Sequence, residues 1–219
     1  GGKNPNIIMS DADLDIAIPG VIDGMRYTRQ GQACTAGSRV YIHEKIYDKV
    51  LNGAVEKLSK LKMGNALDEK SDIGAIISEE QLKRTLYYMD IAKKNSSTKI
   101  LHGGNQSKGG DYKDGYYYEP TLLSGLPVSS PVCQEEVFGP VACAIPFKSF
   151  DEVMESANDT QFGLSAVLWT KDLSRALQFV DEIEAGFVQV NQCVAPRANV
   201  SYGGIKMSGL GKEYAFDSM

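Results

Sequence analysis

VACAIPFKSF DEVMESANDT QFGLSAVLWT KDLSRALQFV DEIEAGFVQV, residues 141–190, decides the fold. Val141 to Ile145, Ser165 to Trp169 and Phe187 to Val190 are short apolar runs, and between them the stretches around Phe150 to Ala157 and Leu173 to Ile183 are amphipathic at helical spacing. Strands separated by helices are joined by crossovers, so the stretch predicts an α/β domain with a largely parallel sheet flanked by helices. The rhythm continues upstream. Asn6 to Met9 is an apolar run, Ser10 to Asp13 a capping region, and Leu14, Ala17, Ile18, Val21, Ile22 and Met25 follow at helical spacing, with Pro19 leaving a kink or a late start as open as a straight helix. Arg39 to His43 alternates like a strand, and Ile46 to Leu61 carries the apolar stripe of a helix ending near Gly64. Ser78 with Gln81 three residues on reads as a capping box, with Glu79–Lys83 and Glu80–Arg84 pairs on the wet side of the helix it opens. Lys99 to His102 is a strand candidate, residues 103–115 an exposed loop, and Tyr116 to Tyr118 the point where order resumes. No repeat or long linker divides the chain, so one domain is expected.

The 219 residues carry 23 Lys+Arg against 28 Asp+Glu, a net charge of −5, with 42% hydrophobic and 23% charged types. That balance fits a globular chain rather than a disordered one, and it argues against a nucleic-acid surface. The longest weakly polar stretch, Val137 to Phe147, is too short to span a bilayer. Four scattered cysteines form neither a disulfide scaffold nor a CxxC metal pattern. A reducing, cytoplasmic setting is therefore expected, although the opening Gly-Gly-Lys-Asn-Pro reads as a cut from something longer.

Cys143, inside Val-Ala-Cys-Ala-Ile, is expected to be a buried hydrophobe, and Cys133 and Cys193 carry the same expectation. Cys34 differs. Gln30-Gly-Gln-Ala-Cys-Thr-Ala-Gly-Ser38 has little apolar bulk to bury a thiol, and Gly31 and Gly37 let backbone approach a ligand. Cys34 is thus a candidate nucleophile whose own N–H can meet a developing oxyanion, against the plainer reading of a loop cysteine. A hydrolase would add a His base, but His43 lies at the far end of the next strand and nothing directs His102 toward the thiol. Glu135-Glu136-Val-Phe-Gly-Pro140 is a second unusual patch, since adjacent strand residues face opposite ways and one carboxylate turns inward. The glycine-dense Tyr202–Gly211 segment is a third, and it lacks the dinucleotide fingerprint.

Together these patches resemble the NAD(P)-dependent aldehyde dehydrogenases. The likeness rests on Gly1-Gly-Lys3 with Pro5 and Asp11-Ala-Asp-Leu-Asp15, Gly31-Gln-Ala-Cys34-Thr-Ala-Gly-Ser-Arg39, Glu135-Glu-Val-Phe-Gly-Pro140, Gly186-Phe-Val-Gln-Val-Asn191 and Gly203-Gly-Ile-Lys-Met-Ser-Gly209, in order along the whole chain. The resemblance implies that 1–219 is the catalytic domain of such an enzyme, with nearly all of the nucleotide-binding domain and the C-terminal oligomerisation strand outside it. It implies Cys34 as nucleophile and half of the oxyanion hole, Glu136 on the nicotinamide ribose, Phe138 beside the nicotinamide, and Gln81 and Arg84 reaching the adenosine ribose. Asn191 matches a structural asparagine, and Cys193, Val194, Pro196 and Asn199 line the aldehyde entrance. Arg29 departs from the family, which commonly has Asn there, and leaves the local packing open. The general base Glu of the family falls two residues before Gly1, and its oxyanion Asn further upstream.

The implied reaction oxidises an aldehyde to the acid through a thiohemiacetal and a thioester on Cys34, with NAD or NADP; no metal is implied. A non-catalytic assembly module is the alternative. The resemblance implies a homodimer or homotetramer at full length. For the 219-residue chain alone it implies weak nucleotide binding and a dimeric or aggregating species rather than a clean tetramer. The aldehyde, and the choice between NAD and NADP, stay open at this point.

Overall fold

The computed structural model describes residues 1–193 and 196–216. In chain order the elements are β1 Pro5–Ile8, α1 Leu14–Gly24, β2 Arg39–His43, α2 Tyr47–Leu58, α3 Glu79–Lys94, β3 Lys99–His102, β4 Thr121–Ser124, α4 Pro131–Gln134, β5 Val141–Phe147, α5 Phe150–Asn158, β6 Phe162–Gly163, β7 Ser165–Trp169, α6 Leu173–Glu182, β8 Phe187–Val190 and β9 Ile205–Lys206. Seven strands form one sheet in the order β3-β4-β5-β2-β1-β7-β8. Every pairing in it is parallel except β3 with β4.

The pleat explains why central strands read as unbroken apolar runs: both faces are covered. On β5, Val141, Cys143, Ile145 and Phe147 enter the core under α3 to α6, while Ala142 and Ala144 enter the core under α1 and α2. Tyr41 on β2 and Leu168 on β7 join the first face, with Val40, Ile42, Val167 and Trp169 on the second. Cys133 and Cys143 are both buried on that first face.

Helix α1 starts at Leu14, its Asp13 cap accepting from Asp15 N–H, and continues past Pro19, so the proline neither delays nor ends it. Ser78 caps α3 by accepting from Gln81 N–H at 3.2 Å. The capping box closes in that direction only, because the Gln81 side chain donates elsewhere. Glu79 pairs with Lys83 at 2.9 Å, whereas Arg84 turns from Glu80 to the Glu136 carbonyl. Order after the exposed loop resumes at β4 rather than at the three tyrosines, which contribute isolated bridges from Tyr116 and Tyr118. The short pair β6 and β9 stands apart as an antiparallel ribbon and pins the glycine-dense segment. A side chain on Gly186 would collide with the Gly203 carbonyl, so backbone packs on backbone there.

Arg39 ties the sheet to α5. It is fully buried, and its guanidinium donates to Lys3 O (2.8 Å), Tyr41 Oη (3.1 Å), Ser156 O (3.2 Å) and Ala157 O (2.8 Å). Ser156 and Ala157 lie in the last turn of α5, whose carbonyls lack helical partners. Arg39→Met keeps the bulk but strands these acceptors, and it is expected to destabilise the fold by about 3 kcal/mol or more in urea titration.

Candidate active site at the N-terminal edge of the sheet

Parallel strands β5, β2 and β1 are neighbours, so the segments leading into them lie side by side at one edge. Those segments are Glu135–Pro140 and Gln30–Ser38, two of the patches singled out in the sequence, and Gly1–Asn4. The glycine-dense segment joins them through Tyr202, whose ring packs edge-on against Phe187 at the start of β8, 5.4 Å between centroids.

Asn4 builds the Cys34 loop. Its amide donates to Cys34 O at 2.8 Å and Ala36 O at 2.9 Å, and its carbonyl accepts from Ser165 N–H at 3.0 Å. Gly37 N–H adds a bond to Gly24 O at 2.9 Å, and Gln32 Oε1 accepts from Ile77 N–H at 3.1 Å. Held this way, Cys34 is the exposed cysteine among four free thiols. Among the described residues its N–H has no acceptor, which leaves a donor beside the sulfur for an oxyanion. Its Sγ lies 3.4 Å from Tyr202 Oη.

Across from Cys34, Gly31 has φ +65°, and a side chain there would strike the Gly139 carbonyl, so the two loops touch through backbone alone. The seam beside them is a narrow crevice with room for about one water, and its lining includes Gly2, Ala33, Glu136 and Phe138. Glu136 is half-buried and accepts from Gly2 N–H at 2.9 Å through Oε1. Phe138 adopts φ 55°, a left-handed conformation that costs a non-glycine residue about 1 kcal/mol or more.

Helix α3 holds that conformation. Gln81 Nε2 donates to Val137 O at 3.0 Å and Phe138 O at 2.8 Å, and Arg84 donates to Glu136 O at 3.2 and 2.5 Å. Tyr88 donates to the Glu135 carboxylate at 2.7 Å; burial and this bond push its phenol pKa up to about 12. Gln81 and Arg84 thus reach the backbone of the Glu136–Phe138 segment in this structure, a geometry that the sequence pattern alone did not reveal.

The remaining expected residues sit elsewhere. Asn191, at φ 54°, clasps Thr170 beyond β7: Nδ2 donates to Thr170 O at 2.8 Å and Oδ1 accepts from Thr170 N–H at 3.0 Å. Cys193 is half-buried against α1 and donates to Gly20 O at 3.5 Å. Pro196 and Asn199 are exposed, and Val194 lies outside the described residues. Their loop meets the Tyr202 region through Ala215 N–H, which donates to Ala198 O. Arg29 is exposed at the end of a 3₁₀ turn, so its departure from Asn leaves the core untouched. Neither histidine approaches the thiol: His43 accepts from Lys45 N–H at the opposite end of β2, and His102 closes β3. Asn4 and Tyr202 are the site residues that sequence reading missed. Among the described residues no group of three or more His, Cys, Asp or Glu gathers to hold a metal, and no helix is long and apolar enough to cross a membrane.

The family model described as the aldehyde dehydrogenase family matches residues 1–219. An aldehyde dehydrogenase of Rhodospirillum rubrum is 39% identical over 219 residues, covering 97% of this chain and 43% of the relative. Two solved structures superpose over the whole chain at 35% identity, each with 43% of its own length covered: the NAD+ complex of an aldehyde dehydrogenase from Bacillus cereus, TM-score 0.94, and a betaine aldehyde dehydrogenase from Staphylococcus aureus with NAD+, TM-score 0.95. The chain therefore spans less than half the length of the proteins it matches.

Proposed function

The chain belongs to the aldehyde dehydrogenase family, and from that premise we propose that it supplies the nucleophile and the nicotinamide end of the cofactor seat for oxidation of an aldehyde to its carboxylic acid in the whole protein. The observation that carries this reading is the exposed Cys34 thiol, with an N–H donor beside it that has no acceptor among the described residues, on a loop clamped by Asn4. The thiolate forms a carbon–sulfur bond to the aldehyde carbonyl, the π pair moves to oxygen, and the Cys34 N–H stabilises that oxyanion. Cysteine suits the later step as well, because a thiolate leaves readily from a thioester.

The residues fit NAD or NADP at its nicotinamide end. Glu136 offers a carboxylate to ribose hydroxyls, and Phe138 an aromatic ring on a backbone that Gln81 holds, beside a glycine-lined crevice. The cofactor supplies the hydride acceptor. Gln81 and Arg84 act on it through the segment they hold. Gln81→Ala is expected to free Phe138 and weaken NAD binding by the whole protein about tenfold, read by titration calorimetry, with a smaller effect on thermal stability. The exposed loop bearing Pro196 and Asn199, with Cys193 and Val194 preceding it, is the proposed aldehyde entrance, and Asn191 the structural clasp behind it.

A small-molecule aldehyde is the proposed partner, and a homodimer or homotetramer the proposed assembly of the whole protein. The free thiols support a reducing, cytoplasmic compartment. The test is turnover of the whole protein with a panel of aldehydes and NAD or NADP, following reduced nicotinamide by absorbance. Aldehyde-dependent reduction is expected; none with any aldehyde, in protein shown to be folded, contradicts the reading.

A further inference from the structure

The Tyr202 hydroxyl lies 3.4 Å from Cys34 Sγ, although 168 residues separate the two. Three contacts hold the phenol there. Its ring packs edge-on against Phe187 and, tilted at 6.4 Å between centroids, against Tyr214. Its backbone exchanges hydrogen bonds with Glu213, N–H to Glu213 O at 2.8 Å and O from Glu213 N–H at 2.6 Å. The side chain is half-buried and fixed on both sides, so its hydroxyl is a built feature of the thiol's surroundings.

We propose that Tyr202 is a positioning residue for the nucleophile: its hydroxyl donates to the Cys34 sulfur in the thiolate form and favours that form over the thiol. The proposal rests on Cys34 being the nucleophile and adds to it a donor from the glycine-dense segment. The direction of the bond follows from chemistry, since a thiolate has lone pairs and no proton. Burial, and secondarily the contact with Cys34, raise the Tyr202 pKa, which keeps the phenol protonated. The titratable groups facing the pair are Glu213 and Tyr214 from the C-terminal segment, with Lys212 lining the same cleft; Phe187 of β8 brings no charge. When sulfur bonds to carbon it loses its charge and much of its acceptor strength, so the hydroxyl is released at that moment.

Tyr202→Phe removes the donor and keeps the ring contacts. The experiment measures iodoacetamide alkylation of Cys34 in the whole protein across pH, with peptide mapping to identify the labelled residue and thermal melting to check the fold. The variant is expected to react about three- to tenfold more slowly near neutral pH and to match wild type at strongly alkaline pH, where thiolate is complete in both. Equal rates at every pH, with Cys34 labelled, overturn the inference and leave the nucleophile assignment standing. The same slowing at every pH also overturns it, since that pattern reports access rather than donation. Should wild-type label fall on another cysteine, the nucleophile assignment and this inference fall together. If the phenylalanine variant does not fold, replacing Tyr202 with 4-aminophenylalanine, which keeps the ring and places an N–H donor where the hydroxyl was, is expected to keep the wild-type neutral-pH rate within a factor of about three, and a larger loss overturns the inference.

Discussion

Replacing Cys34 with serine in the whole protein is expected to lower kcat/KM for the proposed aldehyde oxidation by about a thousandfold or more, with thermal stability unchanged. The fold should not register the change, because the side chain is exposed and the Asn4 bonds go to the backbone of the loop. The chemistry should register it strongly. A serine hydroxyl is scarcely ionised at neutral pH, and no described histidine stands near enough to deprotonate it. Steady-state kinetics alongside a melting curve check the claim. Retained turnover would move the nucleophile elsewhere, and a collapsed melt would show that Cys34 is part of the scaffold.

Asn4→Ala is expected to have the largest effect on the fold among residues of the site. Asn4 is buried, and its amide satisfies three backbone groups from three parts of the chain: Cys34 O, Ala36 O and Ser165 N–H. Alanine leaves all three unpaired inside the protein. At about 1 kcal/mol or more for each stranded group, the loss is about 3 kcal/mol. For a chain of this size that is a fall of about 6–12 °C in Tm. The loop carrying Cys34 loosens as well, so Cys34 alkylation and turnover fall even at temperatures where the variant remains folded. Thermal unfolding and alkylation rates measured on one preparation separate the two effects. A Tm within a degree or two of wild type would show that water or a neighbour replaces Asn4.

The physics of each element explains what could be read from the sequence. β2 was legible to the residue, because five alternating residues between a glycine-rich loop and a helical stripe leave little room for another register. Helix α3 announced itself through Ser78, but what its Gln81 and Arg84 do depends on where the segment leading into β5 lies, 52 to 57 residues away. β4 was not legible: Thr-Leu-Leu-Ser is too short to show a period, and the neighbouring tyrosines have stronger strand propensity. β6 and β9, at two residues each, have no local signature. Pro19 left the start of α1 open, because a proline's local cost is offset by packing that the sequence does not show: Ala17, Val21 and Ile22 are all buried.

The same division runs through the site. Cys34 was visible because its loop lacks apolar bulk, a local property. Glu136 and Phe138 were visible as an odd juxtaposition of two carboxylates, an aromatic and a Gly-Pro turn. Asn4 and Tyr202 were invisible as site residues, since an asparagine before a strand and a tyrosine beside glycines are ordinary. Their roles come from topology. Placing β1 between β2 and β7 brings Asn4 to both the Cys34 loop and Ser165, and β8 at the sheet edge carries Phe187 to the ring of Tyr202.

The central claim is that Cys34 is the thiol that attacks carbonyl carbon, and acyl transfer tests it most directly. Incubating the protein with p-nitrophenyl acetate lets a nucleophilic thiolate displace nitrophenolate and retain the acetyl group as a thioester. Rapid acid quench and peptide mass mapping then locate it. The account predicts acetyl on the peptide containing Cys34, with no thioester on Cys133, Cys143 or Cys193, and loss of the signal in the Cys34→Ser protein. Acetyl on another cysteine while Cys34 stays free would contradict it.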